Sequence, residues 1–258
     1  MKENESAVRF PTWIIEADLN AAAERLAEAA LRTGAEVVRW RGEERTLPPA
    51  GTAAIFYGSL GACARFEGRW RPGVLGDGDA LRHARWIEVA GDLALNHAFV
   101  ATTVEQVGRI QVPWDPVFVR PDSAFKPFSG RVVPRDALSP AALDFGFYFD
   151  DLKLPIILAP AVPIDAEWRF VVVSGQVVAG CAYQAVGRSG VEGTVPAEAR
   201  AVAEAAGGRL HQPAVVVDVC RSAGRYALVE YNLFSGADLY DCDVDAVVKA
   251  VHEAVGGQ

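Results

Sequence analysis

The sequence is poor in the residues and runs that announce the commonest chemistries. It has four cysteines, Cys63, Cys181, Cys220 and Cys242. None forms a C-x-x-C pair or joins a Cys/His cluster, which argues against a zinc site. Such scattered thiols suit a reduced, cytoplasmic protein, although one disulfide stays compatible with them. The four histidines, at 83, 97, 211 and 252, stand alone and read as packing or surface residues. The opening MKENESAVRF has no apolar signal core, and no apolar run is long enough to span a bilayer, so no membrane partner is expected. Lys and Arg do not outnumber Asp and Glu; the formal charge is −8, which excludes a general nucleic-acid surface but not a local basic pocket. Internal repeats and low-complexity tracts are absent. So is a phosphate-loop formula: Gly58-Ser59-Leu60-Gly61 follows a strand but reads as a turn.

What is present is an ordinary globular balance over 258 residues, 51% hydrophobic and 22% charged, enough for one large domain or two small ones. TWIIE (12–16), AEVVRW (35–40) and TAAIFYG (52–58) read as strands. NAAAERLAEAALRTG (20–34) reads as a helix capped by Asn20 or Asp18 and ended at Gly34. Strand–helix–strand order suggests a parallel α/β unit. Residues 61–112 read as a Gly- and Arg-rich loop followed by short helices, and the prolines of QVPWDP (111–116) mark a junction. Beyond it the order is strand (VFVR), loop (PDSAFKPFSG), strand (RVV), helix (139–152), and a short strand (PIILAP). A hairpin then turns near Ser174-Gly175-Gln176, a helix over 196–208 stops at glycine, a second hairpin spans 215–236, and an amphipathic helix covers 243–257. The loop GRSGVEGTVP (187–196) reads as a mobile lid element.

The second hairpin raises the functional question. Val215–Val219 and Tyr226–Tyr231 are β-branched and aromatic, yet the segment carries Asp218, Glu230 and Asn232. Period-two alternation puts Glu230 and Asn232 on one face, and a hairpin centred on Gly224 sets Asp218 opposite Glu230. Facing carboxylates destabilise a sheet, more so when buried. Two resolutions stay open: solvent exposure on an open sheet face, or a hard divalent cation such as magnesium, which takes oxygen ligands. Upstream lie cations to match. Arg120 ends a strand, Lys126 lies in the loop FKPFSG, Arg131 opens the next strand, and Arg169 shares a strand face with Glu167. They could be solvated surface residues, and Arg169 could simply pair with Glu167. Alternatively the set could embrace a polyphosphate, helped by backbone amides at Ser129-Gly130.

The motifs FVRPDSAFKPFSGRVV, IILAP, EWRFVVV and DVCRSAGRYALVEYNLFSG, in that order, resemble the ATP-grasp superfamily. The first resembles most its divergent R2K-type clade, to which the eukaryotic cell-division-cycle protein needed for translation-initiation-factor assembly belongs. The resemblance covers residues 113–241. It implies an α/β fold, α+β in its C-terminal half. A pre-ATP-grasp-like α/β domain would span 1–112 and an ATP-grasp domain 113–258, the latter divided into 113–160 and 161–258. It further implies ATP and Mg2+ as cofactors, with Asp218, Glu230 and Asn232 holding the metal. Arg120 and Lys126 would contact phosphates under a closing loop 121–130, with Ser129 and Gly130 in that loop. Leu158 and Ala159 would lie where the adenine is read, Glu167 would orient Arg169 or touch nucleotide, and Ser235-Gly236 would lie at the acceptor substrate. Arg169 and Lys126 are the implied catalytic groups. An arginine at 120 departs from the lysine of most of the superfamily.

The implied reaction joins a small-molecule, peptide or protein carboxylate to an amine through an acylphosphate. Alternatives of other classes are an ATP-binding assembly factor without turnover, a small-molecule kinase of related fold, and an α/β protein carrying these residues on its surface. Acceptor specificity is expected in residues 59–112 and 184–195.

Overall fold

The computed structural model describes residues 10–143, 151–183 and 194–256. The N-terminal unit runs β1 (Thr12–Glu16), α1 (Ala21–Arg32), β2 (Val37–Trp40), β3 (Ala53–Tyr57), α2 (Leu60–Phe66), β4 (Arg71–Val74) and α3 (His83–Ala90). Its four strands form a parallel sheet in the order β2-β1-β3-β4. The Asn20 side chain accepts a hydrogen bond from the Ala23 N–H at 2.8 Å, which decides between the two candidate caps of α1. Trp13, Ile15, Ile55 and Tyr57 point toward α1, whereas Ile14, Ala54 and Phe56 point toward α2 and Trp70. Both faces are covered, which is why β1 and β3 read as continuous apolar runs.

A second, antiparallel sheet has the order β5-β8-β6-β7, built from β5 (Val100–Thr103), β6 (Val117–Pro121), β7 (Arg131–Val133) and β8 (Pro155–Pro160). It has its own core, including Val104, Val117, Val119, Ile156 and Leu158, closed by the short α4 (Pro140–Leu143). Strand β5 precedes residue 113, so this sheet draws on chain upstream of the proline-rich segment. The other antiparallel sheet, β10-β9-β11-β12, comprises β9 (Ala166–Val173), β10 (Gln176–Ala182), β11 (Ala214–Ser222) and β12 (Arg225–Leu233). Helix α5 (Ala197–Leu210) covers one face, packing Ala199, Ala203 and Ala206 near Phe170, Val172, Val215 and Val217. Helix α6 (Val244–Gly256) covers the other, with Val247, Val248 and Val251 near Val171, Val173 and Val216. These two cores continue into the N-terminal sheet, whereas that of the β5-β8-β6-β7 sheet is separate.

Three sequence expectations need correction. Residues 61–112 hold α2, β4, α3 and β5 rather than a loop followed by helices. Strand β4 was hidden by Pro72 and Gly73, which read as turn signals but are tolerated on an edge strand. Glycine does not end α5: Gly207 and Gly208 lie inside it, and it closes at His211, whose φ is 51°. The expected helix over 139–152 is observed at 140–143, with 144–150 outside the described residues, as is most of the expected loop 187–196. No described helix is long and apolar enough to cross a membrane.

The two helical glycines differ in use. A Cβ at Gly207 would sit 2.4 Å from Val172 Cγ1, whereas one at Gly208 meets nothing within 4 Å. Gly207 therefore lets α5 lie close on β9. Gly208→Ala should stabilise the protein by about 0.5–1 kcal/mol through helix propensity. Gly207→Ala should instead cost about 1 kcal/mol net, because overpacking of roughly 1–3 kcal/mol exceeds the propensity gain. Urea unfolding midpoints of the two variants test the opposite signs.

Candidate active site in the cleft between two sheets

One row of residues crosses the β10-β9-β11-β12 sheet. Cys181 is the strand partner of Arg169, Arg169 of Asp218, and Asp218 of Glu230. Partners in a ladder share a face, so all four side chains leave the same side. The Asp218–Glu230 pairing inferred from sequence is therefore present, but its cause is different. The turn is the two residues Ala223 and Gly224, at φ 47° and 76°, as a tight hairpin needs. That turn alone would set Asp218 opposite Val229. A bulge lies between Val219↔Leu228 and Asp218↔Glu230, leaving Val229 as the extra residue. This one-residue shift brings Glu230 and Asn232 onto the Asp218 face; without it they would point to the α5 side.

The facing carboxylates are neutralised by cations. Arg169 forks onto Asp218, Nε to Oδ1 and Nη2 to Oδ2, both at 2.8 Å, and its Nη1 donates to the Asp238 carbonyl at 2.7 Å. Arg169 is buried and Asp218 has no exposure at all. The rings of Tyr183 and Tyr240 lie 4.8 Å from the guanidinium. Arg169 thus pairs with Asp218, and the guanidinium is held charged: burial pulls its pKa down, but the Asp218 carboxylate outweighs this and raises it well above the ordinary value. Asn232 Nδ2 donates to Asp218 Oδ2 at 2.8 Å.

Glu230 is met from the other sheet. Arg120 Nη2 lies 2.8 Å from Oε2, Lys126 Nζ donates to Oε1 at 2.6 Å, and Lys126 also donates to Asn232 Oδ1. Arg120 is on the β6 face opposite that of Val117 and Val119, which fill the separate core, so it points into the cleft. Lys126 reaches the same place from the loop, with a left-handed φ of 42°, a conformation costing about 1–2 kcal/mol for a residue with a Cβ. Burial would raise the Glu230 pKa, but Lys126 and then Arg120 outweigh it and hold it down at about 2.

The remaining expected residues are distributed as follows. Ser129 and Gly130 are exposed at the loop's end, Gly130 beside the Phe118 ring. Leu158 points into the core of the second sheet, whereas Ala159 alternates to the cleft side; the ladder to β5 ends at Leu158, and the Pro160 carbonyl accepts from Asn96 Nδ2 at 3.1 Å. Glu167 is buried one pleat along from Arg169. Ser235 is fully buried, its Oγ accepting from Leu75 N–H and its carbonyl from Gly58 N–H, each at 2.8 Å. A Cβ at Gly236 would lie 2.4 Å from Leu60 Cδ2. This pair thus joins the N-terminal unit to the end of β12.

Sequence reading missed Asp122, the third residue of Arg-Pro-Asp. It is buried and accepts from Arg82 Nη2 at 3.0 Å and from Ala84 N–H, in the first turn of α3, at 3.1 Å, tethering the loop's start. Its motif position was the only local signal. Tyr183, Asp238 and Tyr240 had none, because only packing brings them to Arg169.

The donor chemistry suits a hard cation. Lys126 Nζ occupies a position shared by Glu230 Oε1 and Asn232 Oδ1, so two of the three oxygen donors already converge on one positive charge. Among the described residues no group of three or more His, Cys, Asp and Glu side chains is placed to hold a metal. An ion here would rest on Asp218, Glu230 and the Asn232 amide, a set that suits magnesium completed by phosphate oxygens.

Comparison with known proteins shows the family and the fold. The family model described as ATP-grasp domain, R2K clade family 2, matches residues 95–250. No curated protein sequence matches the chain. Among solved structures, the ATP-grasp ligase PsnB complexed with a minimal precursor superposes with a TM-score of 0.60 at 13% identity, covering 95% of this chain and 99% of that one. A RimK-domain ATP-grasp protein from Sphaerobacter thermophilus gives 0.61 at 18% identity, covering 95% and 98%. The D-alanine–D-alanine ligase of Bacillus anthracis gives 0.56 at 10% identity, covering 96% and 97%. At these identities the likeness is one of fold.

The cleft's electrostatics predict acid sensitivity. Burial, with Arg120 nearby, lowers the pKa of His83 from 6.5 to about 4; both its ring nitrogens are buried without a hydrogen-bond partner among the described residues. Glu230 falls from 4.5 to about 2. In each case the unfolded chain binds the proton more tightly. Stability should therefore be full above pH 6.5, and fall first as His83 titrates toward 4 and then as Glu230 titrates toward 2. Urea midpoints measured against pH should show this decline, and His83→Phe should flatten its first stage.

Proposed function

The chain belongs to R2K clade family 2 of the ATP-grasp domains, and on that premise we propose that it is an ATP- and magnesium-dependent carboxylate–amine ligase acting on a peptide or protein. The observation that carries this reading is the meeting of Arg120 and Lys126 from one sheet with Glu230 and Asn232 from another, backed by the Arg169–Asp218 pair. Asp218, Glu230 and Asn232 would hold magnesium, which supplies charge neutralisation at the triphosphate. Arg120 and Lys126 would exchange the Glu230 carboxylate for phosphate oxygens, with Ser129 and Gly130 amides closing over them. Arg169 faces the transferred phosphoryl group, oriented by Asp218 and bordered by Glu167. The backbone around Leu158 and Ala159 borders the adenine, and the Ser235-Gly236 corner borders the acceptor.

In the reaction, a carboxylate oxygen of one substrate attacks the γ-phosphorus and ADP departs. The amine nitrogen of the second substrate then attacks the acyl carbon of the acylphosphate. Phosphate leaves, the nitrogen loses a proton, and an amide results. The protein's share is positioning and charge stabilisation. Closure of loop 121–130 would exclude water that would otherwise hydrolyse the acylphosphate. A peptide acceptor is supported by PsnB, whose structures hold precursor peptides. The composition supports a cytoplasmic location.

Two measurements test this. Glu230→Gln and Asn232→Ala should each weaken magnesium-dependent ATP binding at least tenfold by calorimetry, about 1.4 kcal/mol; unchanged affinity removes the metal assignment. Incubation with ATP, magnesium and pools of amino acids and peptides should give condensation products by mass spectrometry, with ADP in step. Binding without turnover would instead indicate an assembly factor, and a phosphorylated alcohol a kinase.

A further inference from the structure

Cys181, at the far end of the row that holds Arg169, Asp218 and Glu230, is not an isolated thiol. Its Sγ lies 3.2 Å from Cys242 Sγ, with Cys242 donating, and both side chains are buried. Cys242 follows the segment that wraps Arg169: the Asp238 carbonyl accepts from its guanidinium and the Tyr240 ring lies against it. The Cys181 Sγ also contacts the Leu239 carbonyl at 3.7 Å, and the Cys242 Sγ the Arg169 carbonyl at 3.9 Å. The other two cysteines are elsewhere. Cys63 contacts the Gly58 carbonyl, and Cys220 lies on β11 beside Glu167.

We propose that Cys181 and Cys242 are a redox modification site, a dithiol that forms a reversible disulfide bracing the Asp238–Cys242 segment over Arg169. With hydrogen peroxide the step balances. The Cys181 sulfur, the more exposed of the two, attacks one peroxide oxygen, the O–O bond breaks, and a sulfenic acid and water form. The Cys242 sulfur then attacks the Cys181 sulfur, the S–O bond breaks, and a second water leaves. Two thiols are oxidised by two electrons and one peroxide is reduced. The hydrogen bond from Cys242 favours this order, since it lowers the Cys181 pKa and raises that of Cys242. The bond would close a loop between residues 61 apart in sequence, long enough to constrain the unfolded chain.

The test uses the full chain, treated with hydrogen peroxide, quenched, denatured and alkylated. The expected result is loss of two alkylatable thiols, a Cys181–Cys242 cross-linked peptide, and Cys63 and Cys220 alkylated as before. The melting temperature should rise by roughly 5–10 °C and return on adding dithiothreitol. Cys181→Ser and Cys242→Ser should each abolish both the cross-link and the shift. Four alkylatable thiols after peroxide, a cross-link through Cys63 or Cys220, or oxidation of Cys181 that stops at sulfenic or sulfinic acid with Cys242 still free, would each overturn the proposal.

Discussion

The site depends on the buried fork between Arg169 and Asp218. Asp218 stands opposite Glu230 in the ladder with no solvent exposure, and an unpaired carboxylate there would be costly to desolvate. Arg169 offsets that cost with two in-plane hydrogen bonds, and Asn232 takes a further lone pair. Such a pair contributes more to uniqueness of arrangement than to net stability, because both charges were better solvated in the unfolded chain. Its consequence is that one carboxylate has its partners within its own sheet. The other, Glu230, is left for partners arriving across the cleft.

Those partners belong to a different body of packing. The N-terminal sheet and the β9–β12 sheet share two continuous cores, whereas the sheet bearing Arg120 is built on a third; the loop bearing Lys126 bridges them, with Ala124 in the first core and Phe128 packed against the third. The Arg120–Glu230 contact therefore joins two sheets that do not share a hydrophobic core, Lys126–Glu230 adds a contact from the bridging loop, and Arg169–Asp218 lies within one sheet. This division is what the proposed reaction requires. In that proposal the contacts across the cleft would be exchanged for phosphate, and Arg169 would face the reacting group.

Much of this was legible locally. The β-branched runs flanking Ala223-Gly224, the capped alanine-rich α1 and the apolar strands β1, β3 and β8 depend on neighbours in sequence, and they fold as their patterns suggest. Strand β4 did not, because Pro72 and Gly73 are turn residues unless the strand sits at a sheet edge. Helix α5 runs through two glycines, of which Gly207 approaches Val172 too closely to carry a side chain. Asp122 was in view within Arg-Pro-Asp, but its clasp on α3 joins residues about forty apart.

The chain's residue order by itself determined which oxygen donors and which cations exist, the strands that carry them, and their likeness to a nucleotide-binding family. Only the folded arrangement decided who pairs with whom. The bulge at Val229 set the face of Glu230 and Asn232, the strand register put Arg169 beside Asp218, and the segment between β12 and α6 laid the Tyr240 ring and Cys242 against Arg169. The physical reason is range. Side-chain alternation and turn chemistry act over a few residues and can be read along the chain, whereas ion pairing and burial act between segments that meet only after the sheets and helices have packed.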